Sequence, residues 1–171
     1  MKVLSLSTLM LCAGFFLLSS QDLEKPATIS YDLEYLDNNE INVVVTIDLE
    51  MGWHVYGLTP KENGPVPATL EIYDTTAYQS VGDAFARTEA IHKMDNAFGV
   101  ELEYYEDQAV FVQKVKLNEA VTELQFSFEY QVCDDWMCLK PDWLDESVVL
   151  KKNFFKPISN DKGAEAPKTD N

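Results

Sequence analysis

Leu124-Gln125-Phe126-Ser127-Phe128-Glu129-Tyr130-Gln131-Val132-Cys133 is the stretch that decides the fold. Apolar side chains at 124, 126, 128, 130 and 132 alternate with polar ones, the period of two of a strand with one buried face. Ile41, Val43, Val45, Ile47 and Leu49 repeat the pattern against Asn42, Val44, Thr46 and Asp48. Weaker strand signals lie at 28–36, 68–73, 109–117 and 147–151. Asp37-Asn38-Asn39 is a turn signal, and Lys61-Glu62-Asn63-Gly64-Pro65 a longer loop. Only 101–105 and 118–120 hint at helical turns. Six to nine short strands at this spacing predict an all-β protein, an antiparallel β-sandwich of the immunoglobulin-like kind whose strand order is not legible.

The ends of the chain differ from this middle. Lys2 precedes an almost wholly apolar or small run over residues 3–18, ended by Asp22 and Glu24. As a helix that run spans roughly 24 Å, short of the ~30 Å bilayer core. Residues 1–20 are therefore expected to be a signal peptide that exports the protein. Cys12 raises the alternative of a lipoprotein, but bulky Leu11 precedes it and the apolar run continues past it. Residues 21–155 are expected to form one domain, and 156–171, without apolar periodicity, a mobile tail.

Export changes the charge and the cysteine arithmetic. The formal net charge of −16 moves to about −17 once Lys2 is removed. Such a charge argues against nucleic acid and anionic membrane surfaces as partners, since both attract basic patches. Of three cysteines, Cys12 leaves with the signal, and Cys133 and Cys138 remain for an oxidising compartment.

That pair can be a staple or an exchange site. Closing so short a loop stabilises a fold by only roughly 2 kcal/mol, because the gain grows with the logarithm of loop length. A bridge built for stability would join distant strands. A loop at a strand end, among Asp134, Asp135 and Trp136 and before Pro141, can instead expose a sulfur to an incoming thiolate. The nearby carboxylates disfavour a resting thiolate, so the site would depend on its partner. Metal binding needs three or four ligands, and only His54 and His92 could join the thiols. No Cys-x-x-Cys opens a helix, and no Ser/His/Asp set, phosphate loop or nucleotide fingerprint is present.

The run Tyr130-Gln131-Val132-Cys133, with Cys138 and Pro141 after it, resembles the N-terminal periplasmic domain of DsbD, the thiol:disulfide interchange protein. Gly52-Trp53-His54-Val55-Tyr56-Gly57 is similar to that family's glycine-aromatic strand near the active site. Asp95-Asn96-Ala97-Phe98-Gly99 is similar to its cap loop. The resemblance covers about residues 27–152. It departs from the best-known members in having four residues between the cysteines instead of five.

The resemblance implies an immunoglobulin-like sandwich in the periplasm that relays reducing equivalents through Cys133 and Cys138. It implies that Cys138 forms the mixed disulfide and Cys133 resolves it. Phe98 would be the aromatic of the cap, Asp95 its acid, and Tyr56 an aromatic beside the site. No cofactor is implied, since the sulfurs carry the electrons. The expected donor is a thioredoxin-like protein or a membrane thiol transporter, and the expected acceptors are oxidised exported proteins.

The other candidates are mostly scaffold. Trp53 is expected in the core, and His92 at the surface. His54 is a partly exposed strand residue that could face the sulfurs as a proton acceptor. Trp136 and Met137 are either local packing or an apolar tip for a partner. Glu101, Glu103, Glu106 and Asp107 read as a solvated acidic stretch. The rival function is an immunoglobulin-like surface or periplasmic binding module whose disulfide is purely structural.

Overall fold

The computed structural model describes residues 25–96 and 98–156. The expected signal peptide and the expected tail beyond Lys156 lie outside the described residues. Twelve strands are present among those described. They are β1 (Ala27–Tyr35), β2 (Glu40–Leu49), β3 (His54–Tyr56), β4 (Thr69–Ile72), β5 (Tyr78–Ser80), β6 (Phe85–Ala86), β7 (Ile91–Asp95), β8 (Val100–Glu106), β9 (Gln108–Leu117), β10 (Glu123–Tyr130), β11 (Val132–Cys133) and β12 (Asp142–Val149). No helix occurs among the described residues.

All pairings are antiparallel. One sheet runs β1-β2-β9-β5, with β6 also on β9; a second runs β12-β10-β4; a third runs β11-β3-β8-β7. The chain leaves the second sheet at Tyr130 and enters the third at Val132, so the decisive strand serves both. The fold is an antiparallel sandwich of the immunoglobulin-like kind.

The two long alternating segments meet in its core. Ile41, Val43, Val45 and Ile47 of β2 and Leu124, Phe126 and Phe128 of β10 are fully buried in one cluster. Phe111 of β9 lies 5.4 Å from Phe128, ring centre to ring centre, and Tyr31 of β1 lies 5.4 Å from Phe126. Burying each such side chain contributes about 1.5–3 kcal/mol. Trp53, expected in the core, packs against this cluster half-buried.

The first hairpin follows its turn residues. Asn38 and Asn39 both take the left-handed conformation, φ 59° and 60°, which asparagine tolerates better than other side-chain-bearing residues. Asn39 then ties Lys156, the last described residue, to this first hairpin. Its side chain accepts from the Lys156 N–H and donates to the Lys156 carbonyl, each at 2.7 Å.

Three expectations need correction. Residues 101–105 are strand, part of β8, not a helical turn. There Leu102 and Tyr105 are buried on opposite faces, which blurs the period of two. Residues 118–120 contain no helical turn either. The last strand begins at Asp142, five residues before the expected 147, because Asp142, Asp145 and Glu146 dilute its apolar pattern. The strands β3, β5 and β6 are too short to display a period on their own, and β7 shows none because nearly all its side chains are exposed.

Candidate functional site

The site is built by alternation across three strands. Val132 pairs with Val55 and Cys133 with His54; His54 in turn pairs with Glu106, Val55 with Tyr105, and Tyr56 with Tyr104. Successive side chains leave a strand on opposite faces. Val132, Val55 and Tyr105 therefore enter the main core, while Cys133, His54, Tyr56 and Tyr104 share the other face. There Tyr56, Leu102 and Cys133 form a second small cluster, with Phe98, Val100 and Tyr104 packed against it. Gly57 ends the strand where a Cβ would stand 2.9 Å from that of Glu103, so glycine permits the close approach.

Cys133 and Cys138 are joined as a disulfide and face each other as an isolated antiparallel bridge, with Cα atoms 4.0 Å apart. Their exposure differs sharply. Cys133 is 1% exposed, whereas Cys138 lies at the surface. Asp134 shapes the intervening loop: its Oδ1 accepts from the Trp136 and Met137 N–H groups, each at 2.7 Å, as an Asx turn does. Gln131 ties that loop to the scaffold. Its Nε2 donates to the Leu139 carbonyl at 2.9 Å, and its Oε1 accepts from Val66 N–H at 3.1 Å. The turn leaves Trp136 92% exposed and Met137 54% exposed, so neither is local packing.

The segment from Asp95 to Gly99 connects β7 to β8 beside the sulfurs. Asp95 Oδ1 accepts from Phe98 N–H at 3.1 Å, and the Asp95 carbonyl accepts from Gly99 N–H at 2.7 Å. Gly99 has φ 70°, a left-handed turn that favours glycine. Phe98 is half-buried and meets Tyr56 edge to face at 6.3 Å. The Tyr56 hydroxyl donates to Asp95 Oδ2 at 3.1 Å and pairs with His54 Nε2 at 3.2 Å. Burial, with Asp95 beside it, pushes the Tyr56 phenol above its ordinary value. Burial pulls the His54 imidazole below its ordinary value, against the opposing pull of Glu106, Asp95, Asp135 and Asp134.

A cleft of about 350 Å³ opens between these elements, lined by His54, Tyr56, Asp95, Phe98, Glu106 and Cys138 among others. The structure thus brings together Cys133, Cys138, Asp95, Phe98, Tyr56 and His54, all six residues singled out in the sequence. His92 stands exposed on β7. The sequence reading missed Tyr104, the Gln131 clamp and the approach of Glu106 to His54. Tyr104 lay in the segment misread as helical, Glu106 was taken only as part of a solvated acidic stretch, and Gln131 was seen only as part of a motif. Among the described residues, no group of three or more His, Cys, Asp or Glu side chains could hold a metal ion.

An alternating strand that ends in one buried and one exposed sulfur can take part in thiol–disulfide exchange. Among solved structures, the N-terminal periplasmic domain of ScsB from Proteus mirabilis is similar to this chain at 19% identity and TM-score 0.49. That likeness covers 71% of this chain and 44% of that one. The DsbD N-terminal domain of Neisseria meningitidis, in the reduced form, is similar at 16% identity and TM-score 0.49, over 71% of this chain and 84% of that one. The chain therefore spans less than half the length of the first of these structures. No curated protein matches it. The profile of the family described as thiol:disulfide interchange protein DsbD, N-terminal, matches residues 20–149. The chain belongs to this family of thiol–disulfide exchange domains.

Proposed function

We propose that this protein works in the periplasm as a relay of reducing equivalents between a donor and oxidised exported proteins. The donor is a thioredoxin-like protein or a membrane thiol transporter. The observation that carries the reading is the asymmetry of the disulfide, with Cys138 at the surface and Cys133 1% exposed beneath the Phe98 and Tyr56 side. Once the Phe98 side opens, an incoming thiolate can reach Cys138 and not Cys133. It attacks the Cys138 sulfur and breaks the Cys133–Cys138 bond, leaving Cys133 as the departing thiolate. A second thiolate of the donor then resolves the mixed disulfide and leaves a dithiol. In the opposite half-cycle Cys138 attacks an oxidised acceptor, and Cys133 closes the ring on Cys138.

Phe98, held by the Asp95–Tyr56 contact, acts as a cover over the sulfurs between encounters. The electrons stay on sulfur throughout, so no cofactor enters the cycle. The reduction potential tests the reading. A value within about −270 to −120 mV, with the fold intact after reduction, is expected of an exchange protein. A value below about −300 mV, or unfolding on reduction, would instead indicate a structural bridge and a binding module.

A further inference from the structure

Four side chains lie in one cross-strand row on the outer face of the third sheet. Glu106 of β8 pairs with His54 of β3, His54 with Cys133 of β11, and Cys133 with Cys138. Residues paired in this way have Cβ atoms about 4.5–5.5 Å apart, so each side chain of the row is within reach of the next. The order is carboxylate, imidazole, buried sulfur, exposed sulfur.

We propose that His54 is the proton acceptor for Cys133 when Cys133 attacks the mixed disulfide on Cys138. This rests on the assignment of Cys133 as the resolving sulfur. Cys133 has almost no contact with solvent, so a thiolate there cannot rely on water either to take its proton or to stabilise its charge. His54 is its strand partner, and histidine is the side chain that exchanges protons near neutral pH. Tyr56 defines the form of the ring. Its hydroxyl gives its one proton to Asp95, so its oxygen accepts from His54 Nε2–H. The neutral imidazole then keeps a lone pair on Nδ1 and can take up a proton.

The charged and titratable groups facing His54 support this role. Tyr56 lies on its own strand, Glu106 and Tyr104 on β8, Asp95 on the covering loop, and Asp134 and Asp135 on the cysteine loop. The four carboxylates favour an imidazolium once it forms, while burial keeps the resting ring neutral. The step balances. The Cys133 S–H proton passes to His54, the Cys133–Cys138 bond forms, and the bond from Cys138 to the acceptor sulfur breaks. The acceptor leaves as a thiolate, reduced by the electron pair that Cys133 supplied. In the reverse direction the imidazolium returns the proton to the departing Cys133.

Reaction of the reduced protein with one equivalent of 5,5′-dithiobis(2-nitrobenzoate) separates the steps. The first release of thionitrobenzoate reports attack by Cys138, and the second reports ring closure by Cys133. In the wild type the second rate is expected to rise with pH through an inflection below about 6.5 and then level. In His54→Ala the ratio of second to first rate at pH 7 should fall about a hundredfold, the low end of general-base effects, and added imidazole should restore it. Glu106→Gln, which keeps the histidine, should move the wild-type inflection to lower pH. An unchanged ratio in His54→Ala, no rescue by imidazole, or an unmoved inflection in Glu106→Gln would overturn the assignment. The exchange reading itself fails differently, by the absence of any second release from the wild type.

Discussion

The Tyr56 hydroxyl donates to Asp95 Oδ2 at 3.1 Å, so the strand that flanks the disulfide also holds the loop beside it. Tyr56 is 4% exposed and shares a cluster with Cys133, and Phe98 packs against that cluster, edge to face with Tyr56. One hydrogen bond thus couples the position of Phe98 to the wall of the sulfur site. Tyr56→Phe keeps the ring and removes the bond. Its loss should favour the open loop by about 1 kcal/mol and raise the rate of disulfide reduction by dithiothreitol about fivefold. A rate equal to the wild type would mean that this contact does not gate access.

The unequal exposure of the sulfurs sets the direction of attack. Cys133→Ser should trap thioredoxin-like partners as mixed disulfides on Cys138, visible on non-reducing gels. Cys138→Ser should trap few, because its remaining thiol is buried. Equal trapping by both variants would remove the assignment of roles.

Trp136 stands 92% exposed at the tip of the cysteine loop, with Met137 beside it. Removing so exposed a side chain should change stability by no more than about 0.5 kcal/mol. Contacts to a docked partner are another matter, since exposed tryptophans often dominate an interface. Trp136→Ala should weaken binding of an active-site-blocked thioredoxin-like partner about tenfold or more by calorimetry. Unchanged affinity would assign docking elsewhere.

Gln131 bonds two backbone groups from different parts of the chain, Val66 N–H and the Leu139 carbonyl. Gln131→Ala strips both of their partner and should cost about 1–3 kcal/mol. Urea unfolding should show this as a lower midpoint at unchanged slope. Because the clamp sits where the cysteine loop begins and ends, the same variant should also be reduced faster by small thiols.

In the first sheet, Glu34 of β1 accepts from both terminal nitrogens of Arg87 and from Asn42. Arg87, then Asn42, holds the Glu34 carboxyl at about 2, well below the ordinary 4.5. A carboxylate whose value is depressed on folding contributes stability above its unfolded value and loses it as pH falls toward the folded one. The melting temperature of Glu34→Gln should therefore lie below that of the wild type at pH 7, and the gap should narrow between about pH 4.5 and 2. Both partners are partly exposed, so the gap is expected to be small and to shrink with salt. A gap that persists at pH 2 would point to packing of the side chain instead of its charge.

Much of this was legible in the residues themselves. The alternating segments around Val43 and Phe126 are both strands, and their apolar members fill the core as expected. The turn at Asn38 and Asn39 was marked by side chains that tolerate positive φ. Cys133, Cys138, Tyr56, Asp95 and Phe98, singled out by short motifs, lie beside one another. The short strands were harder, because two or three residues hold no period, and β8 was misread because its apolar side chains leave by both faces.

The sequence by itself determined an all-β sandwich and the identity of the two sulfurs, because the period of two and the cysteine spacing are local properties of the chain. Only the tertiary structure decided that Cys133 is buried and Cys138 exposed. It also placed Asp95 on Tyr56, and His54 between Glu106 and Cys133. These relations join residues from separate strands through register, and register is set by pairing and packing across the sheet. No window of the sequence contains both partners.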